Sequence, residues 1–453
     1  MMTAIEHLLD HLADAPAAER LACAISEIAR QFPDRPALIA AAGTDARRVI
    51  DYHSLAAAVA KLEAELDQVR PEGIVTRATR AESLAVITAA CGRQRVPLAF
   101  VADAARDLAG PLVGWLPIDD SLTLPADATA HGRHEFDSVS PPVIVATSGT
   151  SGPPKLVDHA WESVLAAARL SEKWHGLGWL LVYDPARWAG IQVWMQALLT
   201  GGWVVVPGSR DPDTVARAIV AEAVAVLPAT PTLLRRLLTS ADRSVLVRGK
   251  VDRITLGGEA ADAQLLADVR SFYPEAKITQ VYATTELGEV FRVTDGQAGF
   301  PAAWLTRALP GGVKLSTRRD GELIVQLSRD ANPVATGDLV EKRGNRYEFV
   351  GRRSDVIVVG GAKVWPKRIE EVLRPLPGIA DVRVYGMPSA ITGELVAAEI
   401  VLVDPLPEGL SPESVRAAAL AACRESLDAT SVPRVVDIVK TIATTAAGKA
   451  RRF

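Results

Sequence analysis

The chain has 453 residues, 49% of them hydrophobic and 23% charged, with a formal net charge of −4. That length exceeds one ordinary core and predicts two or three globular domains, while the faintly acidic balance offers no field for nucleic acid or an anionic membrane. No apolar run approaches the ~20 residues of a membrane span, and the start Met1-Met2-Thr3-Ala4-Ile5-Glu6-His7 lacks the basic and apolar regions of a signal peptide, so the cytosol is the expected compartment. Cys23, Cys91 and Cys423 match no metal or CxxC spacing and read as small buried hydrophobes.

Short β-branched runs alternate with Ala/Leu/Arg-rich stretches almost throughout, the pattern of an α/β protein with largely parallel sheets. Residues 54–66 place Leu55, Ala58, Val59, Leu62 and Leu66 on one helical face. Residues 84–90 read as a second helix, and 96–101, 177–183 and 203–206 as buried strands. A strand at 224–227 is expected to stop at Pro228, and a helix over 231–238 carries Pro231 in its first turn, where a missing N–H costs nothing. Residues 254–256 run as a strand into Gly257-Gly258. From about Gly311, residues 313–315, 322–325 and 346–350 alternate in period two, which predicts a small antiparallel sheet. Beyond 351–355 come a helix at 366–373, strands at 382–385 and 396–403, and a helix at 411–427. The expected organisation is a large N-terminal domain (residues 1–353) of mixed, largely parallel sheets with flanking helices and a small antiparallel sheet. A small, mobile C-terminal α+β domain (354–453) follows it.

Four stretches carry chemistry. In the first, Val143-Ile144-Val145-Ala146 leads into Thr147-Ser148-Gly149-Thr150-Ser151-Gly152-Pro153-Pro154-Lys155, where glycines admit phosphate oxygens to backbone N–H groups, hydroxyls add donors and Lys155 supplies a cation. Its spacing is not that of the nucleotide P-loop, and alone it reads equally as a surface turn. The second, Tyr282-Ala283-Thr284-Thr285-Glu286, offers a ring to stack, hydroxyls, and a carboxylate suited to a hard cation. The third sets Thr336-Gly337-Asp338 ahead of Gly351-Arg352-Arg353-Ser354: a turn-held Asp can accept two ribose hydroxyls, and an Arg can pair with phosphate. The fourth is Thr444-Thr445-Ala446-Ala447-Gly448-Lys449, a turn ahead of a lysine that by itself reads as a solvated tail.

Taken in order, these stretches resemble the adenylate-forming superfamily of acyl- and aryl-CoA synthetases, peptide-synthetase adenylation domains and luciferases. The resemblance runs from Phe32-Pro33-Asp34 to Lys449 and in its compactness is nearest to o-succinylbenzoate-CoA ligases. It implies ATP-dependent activation of a carboxylic acid to an acyl-adenylate with pyrophosphate release, then transfer to the thiol of coenzyme A. It implies that Thr147, Ser148, Gly149, Thr150, Ser151, Gly152 and Lys155 wrap the ATP phosphates. Tyr282, Gly258 and Glu259 would line the adenine and acyl pocket, Asp338 would hold the ribose and Arg352 the nucleotide. Thr285 would meet the α-phosphate, Glu286 would hold Mg2+, and Lys449 would reach the carboxylate and α-phosphate. Ser354 corresponds to the hinge of the small domain, where relatives carry Asp or Lys, and Gly360-Gly361 to the loop that admits the pantetheine arm.

Three departures bear on the acid. Ala283 replaces the usual glycine and argues against a long acyl tunnel. Arg187 stands in place of a histidine in the run Tyr183 to Gly190; it reads either as satisfied by Asp184 or as a cation facing a polar group of the substrate. Of the tryptophans at 174, 179, 188, 194 and 203, most read as core, and Trp188 is expected beside an aromatic substrate, with Gly190 in the same wall. The acid is accordingly expected to be small or aromatic. Alternatives are an acyl-AMP ligase that loads a carrier-protein phosphopantetheine or an amine, an inactive nucleotide-binding homologue, and an ADP-forming kinase. A homodimer is an open expectation.

Overall fold

Extended runs of Val, Ile and Ala fold here as strands because both sheet faces are covered, and the Ala/Leu-rich stretches between them supply the crossovers that parallel strands require. A computed structural model describes residues 4–101, 112, 114–125, 141–147 and 155–443. It comprises two units: Met1–Pro228 with Ser244–Thr255 and Ala283–Glu289, and Ala229–Arg243 with Leu256–Tyr282 and Val290–Phe453.

The first unit contains β1 (Pro36–Ala42), β2 (Arg48–Asp51), β3 (Ile74–Thr76), β4 (Leu98–Phe100), β5 (Leu116–Ile118), β6 (Val143–Ala146), β7 (Leu156–His159), β8 (Gly178–Leu180), β9 (Trp203–Pro207) and β10 (Val224–Ala229). One strand order is β5-β3-β4-β6-β7, parallel except for the antiparallel last pair; another runs β10-β8-β9-β1-β2, parallel except for β1 with β2. The helix Tyr52–Val69 buries Leu55, Val59, Leu62 and Leu66, the face expected from their spacing, and Asp51 caps it by accepting from the Ser54 N–H at 2.6 Å. The helix Ala81–Gln94 is buried nearly all round, with Leu84, Ala85, Ile87, Ala89, Ala90 and Cys91 fully enclosed. The strands expected over 96–101 and 177–183 are shorter, Leu98–Phe100 and Gly178–Leu180, and β10 does not stop at Pro228 but continues to Ala229, Pro228 being buried near its end. Proline there lacks a donor, and a strand terminus tolerates that loss.

The chain continues with β11 (Arg253–Gly257), β12 (Lys277–Thr284) and β13 (Gly288–Val293). The second unit holds the antiparallel sheet expected after Gly311, in the order β14 (Phe300–Pro301), β18 (Arg346–Arg352), β17 (Val334–Arg343), β16 (Glu322–Gln326), β15 (Lys314–Thr317). Its last sheet is β20 (Ala362–Val364), β19 (Ile357–Val359), β22 (Gly393–Leu402), β21 (Ile379–Ser389), with β23 (Val435–Ile438) parallel to β22. The helices Pro366–Leu373 and Pro412–Ser426 stand where periodicity put them, the second closed by a Ser411/Ser414 capping box. Among the described residues no helix is long and apolar enough to cross a membrane, and no cluster of His, Cys, Asp and Glu could hold a metal ion.

Candidate active site

In the second unit, three of the expected nucleotide residues meet directly. Asp338 and Arg352 are register partners across β17 and β18, so a cross-strand pair of opposite charge forms from pairing alone. Arg352 Nε donates to Asp338 Oδ1 at 2.7 Å, and the Tyr282 hydroxyl donates to Asp338 Oδ2 at 2.6 Å. Asp338 is only 8% exposed. The turn expected at Asp338 is instead an irregularity inside β17, where the register against β16 shifts and Gly337 takes φ +75°: the Gly337 N–H donates to Glu322 Oε1 at 3.1 Å, and the Asp338 N–H to Thr336 Oγ1 at 3.1 Å. Burial, then the Asp338 charge, pushes the Tyr282 hydroxyl far above its ordinary pKa, so it stays a donor at any physiological pH. A carboxylate offers about four lone-pair sites. Two protein donors engage it here. The Tyr282 ring lies against Phe291 and Phe349, with centroids 5.0 and 5.2 Å away.

Gly258, at φ +82°, turns the chain after β11. Glu259 then points its carboxylate at a helix start, where Oε2 accepts the Thr232 N–H at 3.0 Å in the first turn of Pro231–Ser240. That is a favourable place for a negative charge, and it gives Glu259 a structural task beside any ligand contact.

In the first unit, Thr147 and Lys155 close the base of the expected phosphate loop. The Thr147 N–H donates to the Lys155 carbonyl at 2.8 Å, and the Lys155 N–H to Thr147 Oγ1 at 3.2 Å. The antiparallel pairing of β6 with β7 sets these ends side by side. Ser148, Gly149, Thr150, Ser151 and Gly152 lie outside the described residues, as does Lys449. After β12, the Leu287 N–H bonds Thr284 Oγ1 at 3.1 Å and Gly288 takes φ +66°, which turns Thr285 and Glu286 at the strand end. Glu286 is exposed, and no hydrogen bond or ion pair engages it among the described residues. A free carboxylate oxygen is the donor type that Mg2+ takes.

The segment 184–190 folds as one turn feeding the helix Trp188–Leu199. Asp184 Oδ1 accepts the Ala186 N–H at 3.0 Å, and its Oδ2 lies 3.4 Å from Arg187 Nε. Arg187 is thus paired with Asp184, the first of its two readings, although Nε itself has no well-aligned hydrogen bond. Gly190 is explained by packing: a Cβ there would collide with the Asp184 carbonyl. Trp188 is 7% exposed and stacks on His159 at 4.4 Å, and its ring would lie 3.5 Å from a Cβ on Gly288. Burial holds the His159 imidazole below its ordinary pKa against the opposing Asp158, Thr285 carbonyl and Glu286. Ala283 is partly buried.

Farther along, Gly360 and Gly361 form the two-residue connection between β19 and β20 with φ +56° and +89°. Positive φ at both positions is the demand of a tight hairpin turn, so the turn alone accounts for the glycines. A Cβ at either would meet open space. Ser354 lies exposed in the single turn Arg353–Asp355, its hydroxyl on Asp355 Oδ1 at 3.0 Å. The preceding Arg353 is held by Asp320 and Glu322.

Sequence reading missed Glu322, His159, Phe291 and Phe349. Phe291 stands on β13, the strand beside Tyr282's β12, whereas Phe349 stands on β18 of the antiparallel sheet and reaches Tyr282 by packing between sheets, which no local pattern records. Glu322 carried no signal of its own, since it alternates with Leu323 and Val325, the buried face of β16, and is buried with Arg318 and Arg353 against it.

The description "AMP-binding enzyme" matches residues 66–311, more than half of the chain, and "AMP-binding enzyme C-terminal domain" matches residues 368–449. The medium/long-chain-fatty-acid–[acyl-carrier-protein] ligase FadD10 of Mycobacterium tuberculosis is 24% identical over 370 residues, covering 72% of this chain and 68% of that protein. The 2-succinylbenzoate–CoA ligase of Bacillus licheniformis is 26% identical over 340 residues, 68% of each chain. An anthranilate CoA ligase, AuaEII, solved with anthranoyl-AMP, superposes with a TM-score of 0.71 at 17% identity over 97% of both chains, and so shares the fold. With both matches in order along one fold, the chain belongs to the family of AMP-binding, adenylate-forming enzymes.

Proposed function

We propose that the protein activates a small or aromatic carboxylic acid with ATP, forming an acyl-adenylate and pyrophosphate, and then passes the acyl group to the thiol of coenzyme A. The observation that supports this reading is the Tyr282–Asp338–Arg352 cluster, a carboxylate bonded by two protein donors, to which the ribose hydroxyls are assigned. In the first step a carboxylate oxygen bonds to the α-phosphorus and the bond to the bridging oxygen breaks. Anion meets anion there, so cations placed where charge grows favour the transition state over the ground state. Lys155 and Lys449 are assigned that task, with Thr285 at the α-phosphate. Glu286 would hold Mg2+, which supplies charge neutralisation on the phosphates when bound. Thr147 to Gly152 are assigned to the phosphates.

In the second step the thiol sulfur bonds to the acyl carbon, AMP leaves, and the thiol proton goes to solvent. The reading includes a domain boundary near Arg353-Ser354, so that residues 354–453 present Lys449 in the first step and the Gly360-Gly361 turn in the second. Ala283 and the Arg187–Trp188 wall support a compact acid over a long chain. The test is acid-dependent ATP–pyrophosphate exchange over substituted benzoates, short dicarboxylates and fatty acids, followed by acceptor choice between coenzyme A, a carrier protein and simple amines. Exchange with fatty acids alone would overturn the acid class, and no exchange with any acid would overturn the reaction.

A further inference from the structure

The helix Pro366–Leu373 follows the segment Arg353–Asp355 and sits on a charge cluster that nothing above uses. All members belong to the second unit. Arg235 Nη2 donates to Asp262 Oδ2 at 2.6 Å, and Arg374 Nη2 donates to Glu370 Oε2 at 3.1 Å. These two pairs meet where Arg374 Nη1 reaches Asp262 Oδ2 at 3.5 Å. Arg235 and Glu370 are 7% and 2% exposed. The Val384 N–H also donates to Glu370 Oε1 at 3.1 Å, and Asp381 lies buried beside them. Arg235 and Asp262 fall within the matched span 66–311, and Glu370 and Arg374 within the span 368–449.

The distances separate two kinds of bond. The charge pairs within each side, at 2.6 and 3.1 Å, are shorter than the one between the sides at 3.5 Å, which is as long as the bond from Arg374 Nη2 to the Val382 carbonyl and at the limit of a hydrogen bond. Arg374 Nε, buried, has no partner at all, so the joined arrangement leaves one donor unserved. If the two sides part, each arginine keeps its own carboxylate and no charge is abandoned, which removes the usual penalty of breaking a buried ion pair. The remaining ties of this helix to β17 and β18 are the Arg343–Glu371 pair at 3.2 Å, the Arg368–Glu341 pair at 3.0 Å, both well exposed, and the Lys367 amino group on the Phe349 carbonyl. Exposed pairs are screened and weak.

We infer that Asp262 and Arg374 form a reversible latch, positioning residues that hold the segment after Ser354 in one of two working orientations and so set the balance between adenylation and acyl transfer. This inference rests on the two-step reading above. Its test uses variants of the full-length enzyme. Asp262→Asn keeps the N-cap of Ala263–Phe272, because an amide oxygen still accepts the Leu265 N–H bonded at 2.9 Å. It weakens the hold on both Arg374 and Arg235, so Arg374→Lys, which spares the Arg235 pair, is measured beside it and should shift the ratio of the two step rates in the same direction. Glu370→Gln keeps an acceptor for Val384 while freeing Arg374 to bind Asp262 more closely.

Pyrophosphate exchange reports the first step, and single-turnover thioester formation from preformed adenylate reports the second. The expected result is that the ratio of the two rates moves in opposite directions in Asp262→Asn and Glu370→Gln, differing about tenfold between them. Hydrogen exchange in Pro366–Leu373 should rise in Asp262→Asn and fall in Glu370→Gln. Equal losses in both steps, or shifts of these two variants in the same direction with unchanged hydrogen exchange, would overturn the latch. If wild-type enzyme shows no exchange with any acid, the reaction reading fails, while opposite hydrogen-exchange shifts would still support the latch and their absence would overturn it.

Discussion

Two carboxylates of the second unit, Asp338 and Asp262, each sit between donors, and they do opposite work. Asp338 takes a tyrosine and an arginine whose side chain is 51% exposed, two bonds where a carboxylate offers about four lone-pair sites. Asp262 takes two arginines that are 8% and 18% exposed and also caps a helix through the Leu265 N–H, so three of its lone-pair sites serve the fold. A carboxylate held by two donors, one of them a half-exposed cation, is a site; one that holds two buried arginines and a helix start is a joint.

The comparison can be broken most forcefully at the joint. Arg235→Met should leave Asp262 short of its closest partner and cost about 3–5 kcal/mol of stability, the range for removing one member of a buried pair. Chemical denaturation measures this, and the Michaelis constant for ATP in the folded fraction should not change. At the site the pattern should invert. Asp338→Ala should lower kcat/KM for ATP in pyrophosphate exchange about 100-fold, equivalent to roughly 3 kcal/mol for two charge-assisted hydroxyl bonds, with the melting midpoint moving only a few degrees. Tyr282→Phe should cost less, about fivefold in the same assay, since one net hydrogen bond is worth roughly 1 kcal/mol.

The smallest effect is a dependence on pH. Burial raises the Asp381 pKa in the folded state against the opposing Arg374 and Arg235. A carboxyl with a raised folded pKa gives its stabilisation at low pH and loses it as pH rises through the folded value. Asp381→Asn should therefore raise the melting midpoint slightly at pH 7 and leave it nearly unchanged at pH 4. For Asp262 the sign is reversed: burial opposes its charge, but Arg235, Arg374 and the Leu265 N–H hold its pKa below the ordinary carboxylate range. Its contribution is present at neutral pH and falls away on acidification, so the benefit of Asp381→Asn should be clearest where Asp262 is ionised.

What was legible in the sequence followed the range of the interactions. The face Leu55, Val59, Leu62, Leu66 and the helix that starts at Pro231 depend on neighbours within a turn or two, and their patterns survive in the fold. Asp338 and Arg352 were legible as motif residues, but their mutual pairing arises from the register of β17 on β18. Tyr282 carried a motif, while of the rings against it Phe291 comes from the very next strand and Phe349 from β18, far along the chain and in another sheet. The Asp262–Arg374 joint spans 112 positions in sequence, and no periodicity records such a pair. Gly360-Gly361 shows the converse: a motif suggested a ligand loop, and the local geometry also demands glycine for the turn.

The central claim is that a bond forms between the acid's oxygen and the α-phosphorus of ATP. Supplying an acid labelled with 18O in its carboxylate, together with ATP and coenzyme A, and weighing the nucleotide product tests that bond directly. The account predicts AMP carrying one labelled oxygen. ADP as the product, or AMP without label, would contradict it.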